Sequence, residues 1–205
     1  MKDYGNKQGA KDCSPRVIVI GHSMGARLLS RSIFSREYIK PELRECSPAS
    51  QVDLFVGLQG AFSIKRFVKG AGWEGSPYAE YAEYSTVFSL TTSRHDNANP
   101  TARFISGARH VGGKYGLAYA SKEENKGVFQ VIKWTDSVEA DSGKLSSRSE
   151  RKVLMIDASS IVDGYDADTG VNKPDDAHND ILDEDMGRLI WLLIKGFAPF
   201  SYSAS

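Results

Sequence analysis

Apolar residues along this chain gather in five short runs separated by long polar or mixed stretches. The runs are Arg16 to Ile20, Asp53 to Gly60, Ser85 to Thr92, Val128 to Trp134 and Lys152 to Asp157. Arg16 to Ile20, Asp53 to Gly60 and Lys152 to Asp157 are rich in Val, Ile, Leu, Phe and Met, as buried strands are; Ser85 to Thr92 reads as another strand, and Val128 to Trp134 alternates, as a half-exposed strand does. The segments between them are too long for hairpins and long enough for helices or crossovers. That spacing predicts an α/β fold with a mostly parallel sheet and helices on both faces.

Other segments follow from their own patterns. Ala26, Leu28, Leu29, Ile33 and Phe34 fall at helical spacing directly after the first run, so a strand, a tight turn and a helix are expected there. Near the carboxyl end Met186, Leu189, Ile190, Leu193 and Ile194 form one apolar stripe. Asp183, Glu184 and Asp185 lie in its first turn, Lys195 in its last, and Gly196 follows as a stop. Met1 to Pro15 is polar and reads as a flexible lead-in, which leaves residues 16–205 as a single domain. Within it, residues 62–85 form an aromatic excursion and residues 135–151 a Ser-rich, charged, mobile loop. Asn97 to Pro100 reads as a turn or helix start, Gly107 to Gly116 as a glycine-rich loop, and Ser159 to Asn179 as a long acidic loop.

Composition narrows the class of partner. The 205 residues carry 26 Lys and Arg against 26 Asp and Glu, so no net charge points to nucleic acid or a membrane surface. Residues 136–185 are acidic and 65–126 lean basic, which reads as two solvated faces. No run is long enough to span a bilayer, and the amino terminus lacks the apolar core of a signal peptide, so a soluble chain is expected, with the cytoplasm favoured. Cys13 and Cys46 are too few to imply an oxidising compartment, and a disulfide between them is the lesser reading.

The chemistry concentrates at Gly21-His22-Ser23-Met24-Gly25. A turn this sharp between strand and helix strains the central residue and leaves no room for side chains two positions to either side, where Gly21 and Gly25 stand. The same turn lifts the Ser23 hydroxyl above the sheet edge and points the Met24 amide, at the positive end of a helix, toward the space an oxyanion would fill. The plainer reading is that Ser23 caps a helix in some other α/β fold.

This strand, Gly-x-Ser-x-Gly and helix resemble the nucleophile elbow of the α/β-hydrolase family, and the Gly-His-Ser-Met-Gly wording resembles its lipase and esterase members. The resemblance covers roughly residues 16 to 197 and implies an α/β-hydrolase-like fold truncated before the nucleophile strand. In that family four strands with their helices come first, and the loop after the third supplies a second oxyanion donor. Neither has a counterpart here.

A serine attacking a carbonyl needs a base, and an imidazole needs a carboxylate to fix its tautomer. The resemblance implies a base between the last strand and the closing helix, where His178 stands, and an acid after the strand that follows the aromatic excursion, where Asp96 stands. The plainer readings are a solvated histidine and a turn residue. Among the other histidines, the turn commits His22 to the wrong direction, His95 lies mid-chain, and His110 is the runner-up. Asp163 is the alternative acid, and Asp180 reads as a cap of the closing helix. The expected activity is that of a serine esterase or lipase-like enzyme working through an acyl-enzyme on a small-molecule ester or lipid-like substrate.

Other features add little. Asp163 to Gly170 matches a calcium loop only loosely, with its glycine and terminal glutamate misplaced, and no redox, nucleotide or metal cofactor is implied. Phe62, Phe67, Trp73, Tyr78, Tyr81 and Tyr84 lie where many such hydrolases insert a cap over the acyl pocket, or are plain packing. The second class of function is a non-catalytic or weakly active hydrolase-like module. With the first strands absent, one flank of the sheet would be an open row of donors and acceptors, inviting a homodimer or a partner chain.

Overall fold

The computed structural model describes residues 16–35, 52–71, 76–96, 110–135, 153–166, 170–172 and 174–197. The lead-in at 1–15, both cysteines, Trp73, the turn at 97–100 and all but the first residue of the loop at 135–151 lie outside the described residues. All five apolar runs form strands: β1 (Ile18–His22), β2 (Leu54–Leu58), β3 (Val87–Thr92), β4 (Phe129–Lys133) and β5 (Val153–Asp157). They build one parallel sheet in the order β1-β2-β3-β5-β4. β5 crosses back between β3 and β4. It is therefore buried along almost its whole length, while β4, left at the edge, alternates between cover and solvent.

Alternation along each strand sends side chains into two separate cores. Phe55, Phe88, Leu90, Val153 and Met155 point to one face, where they meet Ala26 and Ile33 of helix α1 (Met24–Ile33) and Tyr119 and Ala120 of helix α2 (Lys114–Ala120). Leu54, Val56, Leu58, Leu154 and Ile156 point to the other, under helix α3 (Glu184–Phe197). Met186, Leu189 and Leu193 of α3 are fully covered, a gain of about 1.5–3 kcal/mol each. The expected stripe is narrower than its pattern, since Ile190 and Ile194 are only half-buried.

The aromatic excursion settles as packing. Phe62, Phe67, Tyr78 and Tyr81 join the first core, where the Tyr78 ring stacks on Phe34 at 4.2 Å. Arg66, itself buried, spans the same place, with its guanidinium over the Tyr78 ring at 5.2 Å and Nη1 donating to the Tyr78 hydroxyl at 3.3 Å. Those four aromatic rings line core rather than a cap.

Two expectations of loop are replaced by structure. Beyond Gly113 the glycine-rich stretch is helix α2. Gly116 is there because a Cβ would stand 2.0 Å from the carbonyl oxygen of Val111 and keep the helix from seating. Inside the acidic loop, β6 (Tyr165–Asp166) pairs antiparallel with β7 (Val171–Asn172), followed by a 3-10 run over Pro174–Leu182. Among the described residues no helix is long and apolar enough to cross a membrane.

The two glycines flanking Ser23 differ. A Cβ on Gly21 would meet the backbone N and Cα of Ala26 and Cδ1 of Leu29, each at 2.8 Å, so α1 can leave the strand at this angle only over a bare Cα. Gly25 is exposed, and a Cβ there meets nothing within 4 Å among the described residues. The expected steric demand therefore holds at one side of the turn and not the other: Gly21 lies beneath the helix, Gly25 on its outer face.

Candidate functional site

Carboxyl ends of parallel strands gather loops at one edge of a sheet, and three of the expected side chains arrive there. Ser23 joins β1 to α1 with φ 51° and ψ −116°, a positive-φ conformation outside the regions an L-residue prefers. Its backbone is held on both sides by the end of β2 and the loop after it: the Ser23 amide donates to the Leu58 carbonyl at 2.9 Å, and the Ala61 amide donates to the Ser23 carbonyl at 3.0 Å. Its side chain makes no capping hydrogen bond to α1, so the helix-cap reading does not describe it. Met24 follows as the first residue of α1, where a backbone N–H has no helical carbonyl to meet.

Strain of this kind costs about 1–3 kcal/mol. Glycine adopts such angles freely, so Ser23→Gly should be more stable than Ser23→Ala by about 1 kcal/mol in urea unfolding, despite the greater chain entropy glycine brings to the unfolded state. Equal stabilities would mean that the turn stores no strain.

Asp96 ends the turn after β3. That turn is tied from two sides: Ser93 donates from Oγ to the Val162 carbonyl at 2.6 Å, Arg94 donates its amide to Ser159 Oγ at 3.0 Å, and the Ser93 amide donates to the Gly112 carbonyl at 2.8 Å. The side chain thus placed is fully buried, and its Oδ2 lies 2.9 Å from Nδ1 of His178, whose side chain is 15% exposed. An ionised carboxylate only accepts, so the pair puts the imidazole proton on Nδ1 and leaves Nε2 as the basic nitrogen.

The other candidate acids are occupied differently. Asp163 Oδ1 accepts the Tyr165 amide at 2.9 Å, closing its own turn. Asp180 does not spend its carboxylate on α3. Its Oδ2 accepts the amides of Asp163 at 2.9 Å and Gly164 at 2.7 Å, cross-linking the two ends of the acidic loop around His178. Burial raises the Asp180 carboxyl above its ordinary value, only partly offset by those two amides. His110, buried, pairs with Ser63 in an isolated antiparallel bridge, and the His95 ring accepts from Arg94 Nε at 3.2 Å.

His22 takes a place its sequence neighbours did not suggest. Its ring lies against the ring of His178, centroids 4.4 Å apart and planes at 44°. Its Nε2 is buried without a hydrogen-bond partner. Burial, and then the neighbouring His178 charge, lower the His22 pKa from its ordinary value, while the His178 backbone and the Asp96 carboxylate push the other way. The net fall means that the unfolded chain binds this proton more readily than the folded one. Stability should therefore be lost as pH drops below about 6.5, the reference value for histidine. The urea midpoint should fall more between pH 7.5 and pH 5 in the wild type than in His22→Phe; equal falls would remove His22 from the account.

Among the described residues the Ser23 hydroxyl makes no hydrogen bond to an imidazole. The connection between Ser23 and the Asp96–His178 pair runs through His22, the chain neighbour of one and the ring partner of the other. Gln59, at the end of β2, also escaped the sequence pattern. It is fully buried at φ 40°, and its side-chain amide and backbone N–H both donate to Thr91 Oγ1, at 3.0 and 3.1 Å. The only signal for it was a polar residue ahead of Gly60 at the close of an apolar run.

Among the described residues no group of three or more His, Cys, Asp or Glu is arranged to hold a metal ion. Comparison of the chain with protein-family models, with curated proteins and with solved structures finds no match. Among the described residues the chain is an α/β fold on a five-stranded, all-parallel sheet.

Proposed function

We propose that this chain is a serine hydrolase of the esterase or lipase type, α/β-hydrolase-like in fold, with Ser23 as nucleophile, His178 as base and Asp96 as orienting acid. The observation that carries the reading is a strained serine whose side chain caps no helix, at the same end of the sheet as a buried carboxylate–imidazole pair. Strained non-glycine backbone persists where the surrounding structure forces it, and such places cluster at reactive sites.

The chemistry follows from these groups. Ser23 Oγ adds to the carbonyl carbon of an ester while His178 Nε2 takes the hydroxyl proton, and Asp96 stabilises the resulting imidazolium through Nδ1–H. The carbonyl oxygen, now negative, is met by the Met24 amide and the amino end of α1. The intermediate collapses by breaking the carbon–oxygen bond to the alcohol, which leaves with the proton from His178. Water, deprotonated by the same nitrogen, then releases the acid from Ser23. A fluorophosphonate probe tests this directly: Ser23 should label in the wild type and fail to label in His178→Ala. A folded wild-type protein that does not label removes the reading.

A second reading rests on a different surface. Among the described residues β1 pairs only with β2. Val17 just before it and Ile20 within it are exposed, as are Met24 and, at 67%, Leu28 one turn further along α1. An inert protein that sediments as a stable dimer or hetero-complex would favour a non-catalytic module whose β1 edge pairs with another chain. A labelled, monodisperse monomer excludes it.

A further inference from the structure

We propose that His22 is a positioning residue for His178, its ring face fixing the tilt of an imidazole that Asp96 holds by one edge. The inference rests on the reading of His178 as a base and adds a residue to it. One hydrogen bond at Nδ1 sets the distance between ring and carboxylate but lets the ring swing about the line joining them. A second contact on the face of the ring removes that freedom. His22 supplies it at 4.4 Å between centroids, with the two ring planes at 44°.

Three features make His22 more than filler. It precedes Ser23 in a turn whose backbone is pinned by Leu58 and Ala61, so its ring starts from a rigid base. Its Nε2 is buried with no partner, a burden that an aliphatic side chain would avoid. The charged groups acting on it are His178 and Asp96, the two members of the pair. Nucleophile and base stand on segments more than 150 residues apart, and the contact of His22 with His178 joins the two.

The test compares His22→Phe, which keeps the ring face, with His22→Ala, which removes it, each shown to unfold cooperatively. With a fluorophosphonate probe, the limiting rate of Ser23 labelling should fall about 10- to 100-fold in His22→Ala, the scale of a small misplacement of a reacting group. The half-saturating probe concentration should stay unchanged. In His22→Phe the limiting rate should remain within about threefold of wild type, since the ring contact survives. A His22→Ala protein as fast as wild type, or a His22→Phe protein as slow as His22→Ala, overturns the proposal. Should the wild type itself not label, the hydrolase reading falls, and the proton resonance of the His178–Asp96 hydrogen bond decides this point separately. That resonance should be present in wild type and His22→Phe and broadened away in His22→Ala; an unchanged resonance in all three overturns the positioning role.

Discussion

Asp96→Asn should slow fluorophosphonate labelling of Ser23 by about 10,000-fold while leaving the fold intact. The carboxylate is fully buried and 2.9 Å from His178 Nδ1, so it meets the imidazole as an acceptor only. An asparagine of the same shape offers an N–H to the same nitrogen. The imidazole then turns its lone pair toward residue 96 and presents Nε2–H to the serine, the tautomer that cannot take a proton. Because the substitution removes a buried charge and keeps the volume, the thermal midpoint should change far less than the rate. Asp163→Asn provides the contrast: its carboxylate closes a local turn with Tyr165, so labelling should stay within about twofold of wild type, as for a surface change away from the reacting groups. An Asp96→Asn protein that labels within tenfold of wild type would remove the carboxylate from the mechanism, and slow labelling in Asp163→Asn would transfer its role.

The division between what was legible in the chain and what was not has a physical cause in each case. The strands were legible because a parallel sheet covered on both faces needs unbroken apolar runs, and Asp53 to Gly60 or Lys152 to Asp157 fit little else. Their order was not, since nothing in the composition of β4 or β5 says which of them lies next to β3; only the half-exposed alternation of β4 marks it as an edge. The hairpin of β6 and β7 was hidden because strands of two residues carry no period. Helix α2 was hidden because Gly116, which reads as loop, is required by the helix's close approach to Val111. At the site, the Gly-x-Ser-x-Gly wording singled out the strained residue, and chain position singled out Asp96 and His178. The 2.9 Å contact between the last two joins residues 82 apart, and no local signal encodes it. The contact of His22 with His178 was missed for a related reason: the sequence says which way a turn throws its side chain, not what another loop brings to meet it.

Gly21→Ala should cost about 3 kcal/mol of stability or more, at the upper end of what an overpacked core exacts, whereas Gly25→Ala should be neutral or stabilise by up to about 1 kcal/mol. The new methyl at residue 21 would lie 2.8 Å from the backbone N and Cα of Ala26, atoms that cannot turn aside as a side-chain tip can. To relieve it α1 must lift, and α1 is seated through Ala26 and Ile33 in the core shared with Phe55 and Phe88. The lift would also pull on the bonds that hold Ser23 to Leu58 and Ala61, so whatever reactivity Ser23 has should fall along with the stability. Residue 25 faces outward, and alanine there gains helix propensity with nothing to displace. Urea unfolding of the two variants separates the cases. A Gly21→Ala protein as stable as wild type would mean that the helix leaves the strand at an angle wide enough to seat a methyl at residue 21. The close approach of Ala26 to residue 21 would then not be the device that holds Ser23 in its strained conformation.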